Sequence, residues 1–427
     1  MRRVLIANRG AIAARAIETF RTLGWSPTAV AAVSDPQRLH TLAADGCEYL
    51  EGAGLAQTYD HVGRIVEAAR ACGADAVYPG YGALAEDPAL PEQLAAAGIA
   101  FIGPTAGVLA AAQDKDHAVA TADRLGLPVL PHATGSEQIA ALVKEIGLPV
   151  ILKPVTGCGG LGVRIVHTGA EAEEALSLMA ADAGADWYAE RYVERGHVVG
   201  VTVAVDAAGT VHPLGERESL LVDGSMKLLE ASPVQGVAAE LLERMRADTA
   251  KLVTGMGLRG VATVEFIVGA GRHYFLEVNG RLPLAYRMCE AQTGRDVVAL
   301  QTELAQGAVF APGSIRADRD VHCLEARLFI TPAADGEPGR ITSLVLPPEP
   351  GVTYNCALDT SRPVVLDNIV TQVLACGDSR ELAAGAVLRA VEGSGIAGVA
   401  HCAEEIAVWL RGSGIVPERA GSQALGV

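Results

Sequence analysis

The chain has 427 residues, of which half are hydrophobic, one in five is charged and only 4% are aromatic. Domains of about 100–200 residues would divide this length into two or three units, and the apolar content excludes a disordered or fibrous protein. The net charge of −16 argues against nucleic acid or an anionic membrane as the main partner. It leaves room for a local basic pocket that binds a small anion.

No apolar run reaches the roughly 18 residues that a membrane-spanning helix needs, and the run at residues 4–7 is too short for a signal peptide. The eight cysteines are scattered, with no Cys-x-x-Cys pair and no histidine at zinc-finger spacing. This pattern argues against zinc and predicts reduced thiols in a cytoplasmic protein.

The first hundred residues alternate between strand and helix patterns. Predicted strands at 4–7, 29–33, 76–78 and 99–102 are separated by helical patterns at 11–23 and 62–72. This alternation is typical of a parallel α/β layer, which we assign to a domain of residues 1–112. The first turn lacks the G-x-G-x-x-G pattern of a dinucleotide site.

A second domain is predicted at residues 113–310, and it begins with a small α+β module. Helices at 117–125, 136–146 and 171–181 accompany strands at 150–153, 163–166 and 187–192, and we expect residues 132–196 to form a mobile lid. Strands at 198–205, 227–230 and 262–268 follow, with a helix at 238–257 and a returning strand at 273–278. The remaining segment, 311–427, is β-rich and closes with a helix at 379–393.

A glycine-rich loop lies between two strands of the predicted lid. Residues 157–162 contain four glycines, and Lys153 ends the strand just before them. Backbone N–H groups in such a loop can close on phosphate oxygens, and a lysine supplies the point charge that a phosphate needs. No G-K-[ST] opens a helix here, so the loop is not of the Walker type. The alternative is a glycine-rich hairpin without function.

Two carboxylates, Glu265 and Glu277, have their midpoint at residue 271, inside the predicted turn at 269–272. A hairpin would place them opposite each other, at about 5 Å, where like charges destabilise the pair. A divalent cation between them would remove the repulsion, and Asn279, on the same face, offers a third oxygen of the kind that Mg²⁺ prefers. The alternative is that one carboxylate faces solvent and pairs with Arg272 or Arg281.

At these motifs the chain resembles the ATP-grasp superfamily and, within it, the biotin carboxylase family. The resemblance rests on segments spread in order along nearly the whole chain: 4–10, 78–82, 114–116, 149–162, 190–192, 277–281, 325–327 and 338–342. It implies an α/β and α+β protein in which an ATP-grasp fold lies between a Rossmann-like N-terminal domain and a β-rich C-terminal domain of the biotin carboxylase type. It also implies a ligase that uses ATP and Mg²⁺, or Mn²⁺ in its place.

The resemblance further implies roles for individual residues. Residues implied to hold ATP are Lys115, Lys153, the loop glycines Gly157, Gly159 and Gly160, then Glu190, Arg191, Val193 and His197. Glu265, Glu277 and Asn279 would bind the metal. Lys227, Arg281 and Arg327 would be the catalytic basic residues that line the acceptor side.

The chain departs from the family at the acceptor side. The family carries Arg-x-Gln-Val-Glu-His-Pro after the metal motif, where this chain has Pro283 in place of the glutamine that binds bicarbonate and Ala285 in place of the glutamate general base. The flap arginine is Leu161, and the basic segment before Lys227 reads Asp223-Gly224-Ser225. An alanine cannot accept a proton, so the general base of the family is missing.

Three functions fit these residues. The first is an ATP-dependent ligase that phosphorylates bicarbonate or a small carboxylate and transfers the acyl group to an amine-type nucleophile. The second is a biotin carboxylase subunit that works with a biotin carrier protein, and the third is a non-catalytic nucleotide-binding subunit. In each case the family pattern predicts a homodimer, and no nucleic acid or membrane partner is expected.

Overall fold

The computed structural model describes residues 1–34, 39–155, 162–181, 187–224, 226–331, 341–356 and 369–416. Within these ranges, the helices are all too short or too polar to cross a membrane.

The N-terminal segment forms a parallel five-stranded sheet with helices packed on it, as the alternating pattern predicts. The strand order is β3-β2-β1-β4-β5. Its elements are β1 (Arg3–Ile6), α1 (Gly10–Thr22), β2 (Ser26–Ala32), α2 (Leu39–Ala43), β3 (Gly46–Leu50), α3 (Val62–Ala71), β4 (Ala76–Tyr78), α4 (Ala83–Glu86), α5 (Ala89–Ala96) and β5 (Ala100–Phe101).

Two helices lead into the predicted lid, which is a separate four-stranded sheet of order β6-β9-β7-β8. Two helices pack against this sheet around their own small apolar core, which includes Ile139, Leu152 and Ala189. The elements are α6 (Ala106–Gln113), α7 (Lys115–Arg124), β6 (His132–Thr134), α8 (Ser136–Ile146), β7 (Val150–Pro154), β8 (Arg164–Val166), α9 (Gly169–Ala181) and β9 (Trp187–Arg191).

An eight-stranded antiparallel sheet of order β14-β13-β10-β11-β12-β15-β18-β17 forms the body of the molecule. Its first part comes from the predicted second domain. The elements are β10 (His197–Val205), β11 (Val211–Asp223), β12 (Met226–Ser232), α10 (Ala239–Gly255), β13 (Gly260–Gly269), β14 (Arg272–Asn279), α11 (Tyr286–Thr293) and α12 (Val297–Ala305).

The C-terminal segment continues the same sheet across the predicted boundary at residue 310. β12 pairs directly with β15, and Glu230 lies opposite Glu325 in this register. Helices α13 and α14 cover this end of the sheet over an apolar core that also contains Leu228 and Leu229 of β12. The elements are β15 (His322–Phe329), β16 (Ser343–Val345), β17 (Val352–Asn355), β18 (Ile369–Gly377), α13 (Arg380–Gly393), β19 (Gly395–Ala397) and α14 (Ala403–Gly412).

Candidate active site

Two of the lid residues predicted to contact ATP, Lys153 and Glu190, are paired with each other. The Lys153 ammonium lies 2.5 Å from Glu190 Oε1, and the Tyr188 hydroxyl donates to Glu190 Oε2 at 3.0 Å. β7 and β9 bring the pair together, because Lys153 lies opposite Tyr188 in their register. The pair leaves Lys153 largely buried and places a cation at the end of β7, where the glycine loop begins.

Lys115 belongs to the same end of the lid. It is the first residue of α7, and its backbone N–H donates to the Val155 carbonyl at 3.4 Å. Asp114 caps the helix by accepting from the His117 N–H. The two predicted phosphate-binding lysines therefore flank the same stretch of backbone. Gly157, Gly159 and Gly160 lie outside the described residues.

The residues predicted near adenine and ribose follow at the end of β9. The Arg191 N–H already donates to the Pro131 carbonyl, and the Val193 carbonyl accepts from the Gly196 N–H in a tight turn. His197 opens β10, and its Nε2 lies 2.6 Å from Glu218 Oε2. These three residues line the connection between the lid sheet and the body sheet.

Glu265 and Glu277 lie directly opposite each other on β13 and β14, as the spacing predicts. The register near the turn differs by one residue, because Gly269 pairs with Arg272, and a bulge at Leu276 restores the pairing of the two carboxylates. The bulge also sets Asn279 opposite Thr263. It therefore aligns the three predicted metal ligands.

The carboxylate pair fits a divalent cation by its donor chemistry. Among the described residues, no three His, Cys, Asp or Glu side chains form a metal cluster, and the predicted set consists of two carboxylates and an amide. The Lys227 ammonium lies 2.5 and 2.6 Å from the two oxygens of Glu265, and the Asn279 amide donates to Glu277 at 3.0 Å. Two carboxylates and an amide oxygen are hard donors of the kind that Mg²⁺ prefers. Lys227 and the Asn279 amide nitrogen neutralise or hydrogen-bond the same carboxylates, so a cation bound here would displace these contacts.

Neither alternative partner of the carboxylates is observed in the part of the chain that the structure describes. Arg281 instead pairs with Glu86 at 2.8 Å and donates to Asn279 Oδ1 at 3.0 Å. Glu86 ends α4, so this ion pair joins the N-terminal segment to the segment that follows β14. Arg281 therefore contacts one predicted metal ligand, Asn279, while its charge is balanced by Glu86 of the N-terminal segment.

Arg327 lies in a series of buried charges that crosses four strands, and we call this series the ion-pair chain: Glu265, Arg217, Glu230, Arg327 and Glu325. Arg217 bridges the first two carboxylates, and Arg327 bridges the last two. Arg327 also donates to the Lys227 carbonyl at 3.1 Å. The ion-pair chain thus links two of the predicted basic residues, Lys227 and Arg327, to Glu265, one of the predicted metal ligands.

The two carboxylates around Arg327 titrate differently. Burial alone would raise the pKa of Glu230, but the charges of Arg327 and Arg217 outweigh it and lower this pKa to about 2. Burial raises the pKa of Glu325, against the opposing effect of Arg327. Glu325 Oε1 accepts from Arg327 and from Gln372, whereas Oε2 is buried without a hydrogen-bond partner among the described residues.

Two of the departures at the acceptor side, Pro283 and Ala285, have structural roles in the fold. Leu161 and Ser225 lie outside the described residues. Ala285 is fully buried and packs with Met288, Cys323 and Leu374. Pro283 lies in the turn before α11, where its carbonyl accepts from the Tyr286 N–H. The side chain at 285 therefore offers no group that accepts a proton.

Sequence reasoning missed the partners of these residues. Arg217, Glu230 and Glu325 were not identified, because a charged residue within a strand is usually solvated, and their pairing depends on strand order. Glu86, at the end of α4, and Tyr188 of β9 were also missed, because neither stands in a sequence motif. Alternating charges at Glu325 and Arg327 were the one available signal, since alternate residues of a strand share a face.

Comparison with known proteins decides the family. The family model for the biotin carboxylase N-terminal domain matches residues 1–109, and that for the carbamoyl-phosphate synthase L chain ATP-binding domain matches residues 110–311. The chain is 32% identical to biotin carboxylase of Haemophilus influenzae over 400 residues, covering 90% of this chain and 89% of the relative. It belongs to the biotin carboxylase family.

Other members of the biotin carboxylase family agree. Biotin carboxylase of Pseudomonas aeruginosa is 32% identical over 92% of this chain and 90% of its own length. The crystal structure of a biotin carboxylase–β,γ-ATP complex from Campylobacter jejuni has a TM-score of 0.88 at 29% identity and covers 97% of this chain and 96% of that one.

A structure with bound ligands bears on the cofactor prediction. The biotin carboxylase domain dimer of Hydrogenobacter thermophilus 2-oxoglutarate carboxylase, in complex with MgADP, ADP and bicarbonate, matches with a TM-score of 0.88 at 29% identity, covering 96% and 94% of the two chains. The ATP-grasp fold, the ligase class and the use of ATP with Mg²⁺ are confirmed at the level of the family. Mn²⁺ stays a prediction.

Proposed function

We propose that this chain is an ATP-dependent carboxylase-type ligase whose acceptor differs from that of its relatives. Family membership supports the ATP-dependent carboxylase chemistry. The observation that carries the altered acceptor is the buried Ala285, which leaves the family's general base without a counterpart. Lys227 nevertheless contacts Glu265, and Arg327 donates to the Lys227 carbonyl.

The nucleotide is proposed to bind at the lid. Its phosphates would contact Lys115 and Lys153, and the glycine loop would close over them through Gly157, Gly159 and Gly160. Adenosine would be held by Glu190, His197 and the backbone of Arg191 and Val193. The Lys153–Glu190 pair supports this role, because it holds an ammonium in place beside the loop. In this proposal the domain 113–310 includes the mobile lid, residues 132–196, and residues 1–112 and 311–427 form the outer domains.

Glu265, Glu277 and Asn279 would hold Mg²⁺, which when bound neutralises charge on the transferring phosphoryl group. Glu265 would also hold the Lys227 ammonium beside the transferring phosphoryl group, since both Glu265 oxygens contact that ammonium. Arg281 would orient Asn279, because it donates to the amide oxygen and leaves the amide nitrogen on Glu277.

The reaction proposed transfers the γ-phosphoryl group of ATP to an oxygen of bicarbonate or a small carboxylate, which forms an acyl phosphate and ADP. An amine-type nucleophile then attacks the acyl carbon, a C–N bond forms, and phosphate leaves. An amine of low basicity is largely unprotonated at neutral pH, so it needs no strong base at position 285. Lys227, Arg281 and Arg327 would supply positive charge around the anionic acceptor.

A biotin carboxylase subunit is the second candidate. The relatives named biotin carboxylase favour it, since they match over about nine-tenths of this chain. In that case a biotin carrier protein would be the partner.

Release of ADP from MgATP separates the candidates. The enzyme is assayed with bicarbonate alone, with bicarbonate and free biotin, and with bicarbonate or small carboxylates plus a panel of amines and amino acids. We expect an amine to stimulate ADP release and free biotin to have no effect. Stimulation by biotin and by none of the amines would refute the altered acceptor and support the second candidate.

The metal assignment has its own test. Glu277→Gln removes one carboxylate charge and is expected to lower Mg²⁺-dependent ADP release by two or more orders of magnitude, in line with loss of a group that stabilises phosphoryl transfer. Glu243→Gln, on the exposed face of α10, is the matched control and should behave as the wild type. Nucleotide binding without any Mg²⁺-dependent turnover in the wild type would instead support a non-catalytic role.

A homodimer and a cytoplasmic location complete the proposal. The Hydrogenobacter relative is described as a domain dimer, which supports the first. The scattered cysteines support the cytoplasmic location, because no Cys-x-x-Cys or zinc spacing is present in the sequence. Light scattering during size-exclusion chromatography would measure the mass of the assembly.

A further inference from the structure

Two cysteines that the proposed chemistry does not use face each other across the body sheet. Cys323 of β15 and Cys376 of β18 are direct partners in the antiparallel register, although 53 residues separate them along the chain. Their Sγ atoms are 2.7 Å apart. The two side chains therefore already point at each other.

The backbone at this position suits a covalent link. The Cys376 N–H donates to the Gly351 carbonyl, at the start of β17, so it turns away from β15. Cys323 and Cys376 are thus a non-hydrogen-bonded pair, the type in which Cα atoms approach to about 4.5 Å. Disulfides span Cα separations of about 4.4–6.8 Å, so the strands need little movement to accept the bond.

The two thiols differ in access and in acidity. Cys323 is buried, whereas Cys376 is half-buried at the edge of the apolar cluster around Ala285 and Met288. The hydrogen bond from Cys323 and the nearby charge of Arg287 lower the pKa of Cys376. The same hydrogen bond and burial raise the pKa of Cys323. Cys376 is therefore the thiol that an external reagent reaches first.

We propose that Cys323 and Cys376 form a dithiol site that is oxidised reversibly to an intramolecular disulfide by small disulfide compounds of the glutathione type. The Cys376 thiolate attacks one sulfur of the oxidised compound, breaks its S–S bond and releases one thiolate. Cys323 then gives its proton to solvent and attacks Cys376 Sγ, which forms the Cys323–Cys376 bond and releases the second thiolate. Two protein thiols are oxidised and one small disulfide is reduced. This inference does not depend on the proposed acceptor.

The test uses the full chain and oxidised glutathione as the probe. The protein is equilibrated at stepped ratios of oxidised to reduced glutathione, quenched with acid, alkylated, digested and analysed by mass spectrometry. We expect one disulfide-linked peptide pair that contains Cys323 and Cys376, loss of alkylation at both positions together, and recovery of both thiols with dithiothreitol.

Single cysteine-to-serine variants test which of the two thiols reacts in each step of the oxidation. Cys323→Ser should accumulate the glutathione adduct on Cys376, and Cys376→Ser should leave Cys323 unmodified. Cys72→Ser, which removes a half-buried thiol of the N-terminal segment, is the matched control and should leave the cross-link unchanged. Should the variants fail to fold, the peptide map of the wild type decides alone. A wild-type protein that keeps both thiols, or stops at a glutathione adduct on Cys376, at the most oxidising ratio would overturn the proposal.

Discussion

Arg327 carries its charge in the interior of the protein, where 2% of its side chain is exposed. Each of its donor nitrogens has an acceptor: Glu325, the Lys227 carbonyl and Glu230. A buried charge is tolerated only when it is paired and hydrogen-bonded in this way. The arginine implied to act on the acceptor therefore also holds two strands and two carboxylates in place.

Arg327→Met is expected to destabilise the fold strongly. It leaves Glu230 and Glu325 buried without their cation, and breaking one partner of a buried pair costs about 3–5 kcal/mol. Arg389→Met removes the half-exposed partner of Glu349 and should cost at most about 1 kcal/mol. Urea unfolding of both variants measures the difference, and equal midpoints would show that the ion-pair chain does not stabilise the fold.

Stability should fall in acid through Glu230. Its pKa is about 2 in the folded protein, below the ordinary value of 4.5, so the unfolded chain binds its proton first as the pH falls. The stabilisation is complete above pH 4.5 and is lost as the pH falls towards 2. Asp206, whose pKa is also lowered to about 2 by its backbone and His212 partners in spite of burial, acts in the same direction.

Urea unfolding at stepped pH between about 6 and 2.5 measures this loss. In Glu230→Gln the position no longer titrates, so the free energy of unfolding should vary less with pH, although its value at neutral pH is lower. If the free energy of unfolding of Glu230→Gln fell with pH as steeply as that of the wild type, the loss of stability in acid would come from Asp206 and other groups.

The predicted and observed bounds of the elements show which parts of the fold the local sequence determines. β4 and α8 have the bounds that the apolar pattern predicts, 76–78 and 136–146, because their burial follows from local periodicity. β11 was missed, since the charges at Glu216, Arg217 and Glu218 interrupt its apolar pattern. Those charges are satisfied only by residues of other elements, and no local window contains them.

The hairpin of β13 and β14 also shows that a local pattern predicts only part of the structure. The spacing of Glu265 and Glu277 predicts their pairing, and the structure confirms that they are partners. It does not predict that a two-residue turn and a bulge at Leu276 together produce it. Ala270 and Gly271 form that turn with φ of 50° and 72°, a left-handed backbone at both positions. Such turns prefer Asn-Gly, so alanine at the first position is strained.

Ala270→Asn should therefore stabilise the hairpin. Relief of the left-handed alanine is worth about 0.5–1 kcal/mol, within the 1–2 kcal/mol that this conformation costs a residue with a Cβ atom. Thermal unfolding measures the gain, and Gly271→Ala is the opposite control and should lower the midpoint. Because both positions lie at the tip of the hairpin, ADP release should stay unchanged in Ala270→Asn. A lower midpoint in this variant would contradict a strained turn.

At the scale of the whole molecule, four of the predicted basic residues are each paired with a carboxylate. Against a net charge of −16, the predicted basic residues are few, and the sheets gather them beside carboxylates: Lys153 on Glu190, Lys227 on Glu265, Arg281 on Glu86 and Arg327 on Glu230. Composition allows such ion pairs without locating them. Their location depends on strand order, which brings residues 217, 230, 265 and 327 together from four strands.

The body sheet also determines how the chain can be divided. β15, β18 and β17 extend the sheet that β10–β14 begin, and the core under α13 includes Leu228 and Leu229 of β12. A chain that ends at residue 311 would expose the edge of β12 and leave Glu230 without Arg327. We expect this truncated chain to lose cooperative unfolding and to aggregate, although the ATP-binding family model ends at that residue.

Circular dichroism during heating and light scattering measure these properties against the full chain. Addition of residues 312–427 as a separate polypeptide should restore a cooperative transition, because it returns the partner strands and the arginine. A truncated chain that is monodisperse and melts cooperatively on its own would show that the two segments fold independently in spite of their shared sheet.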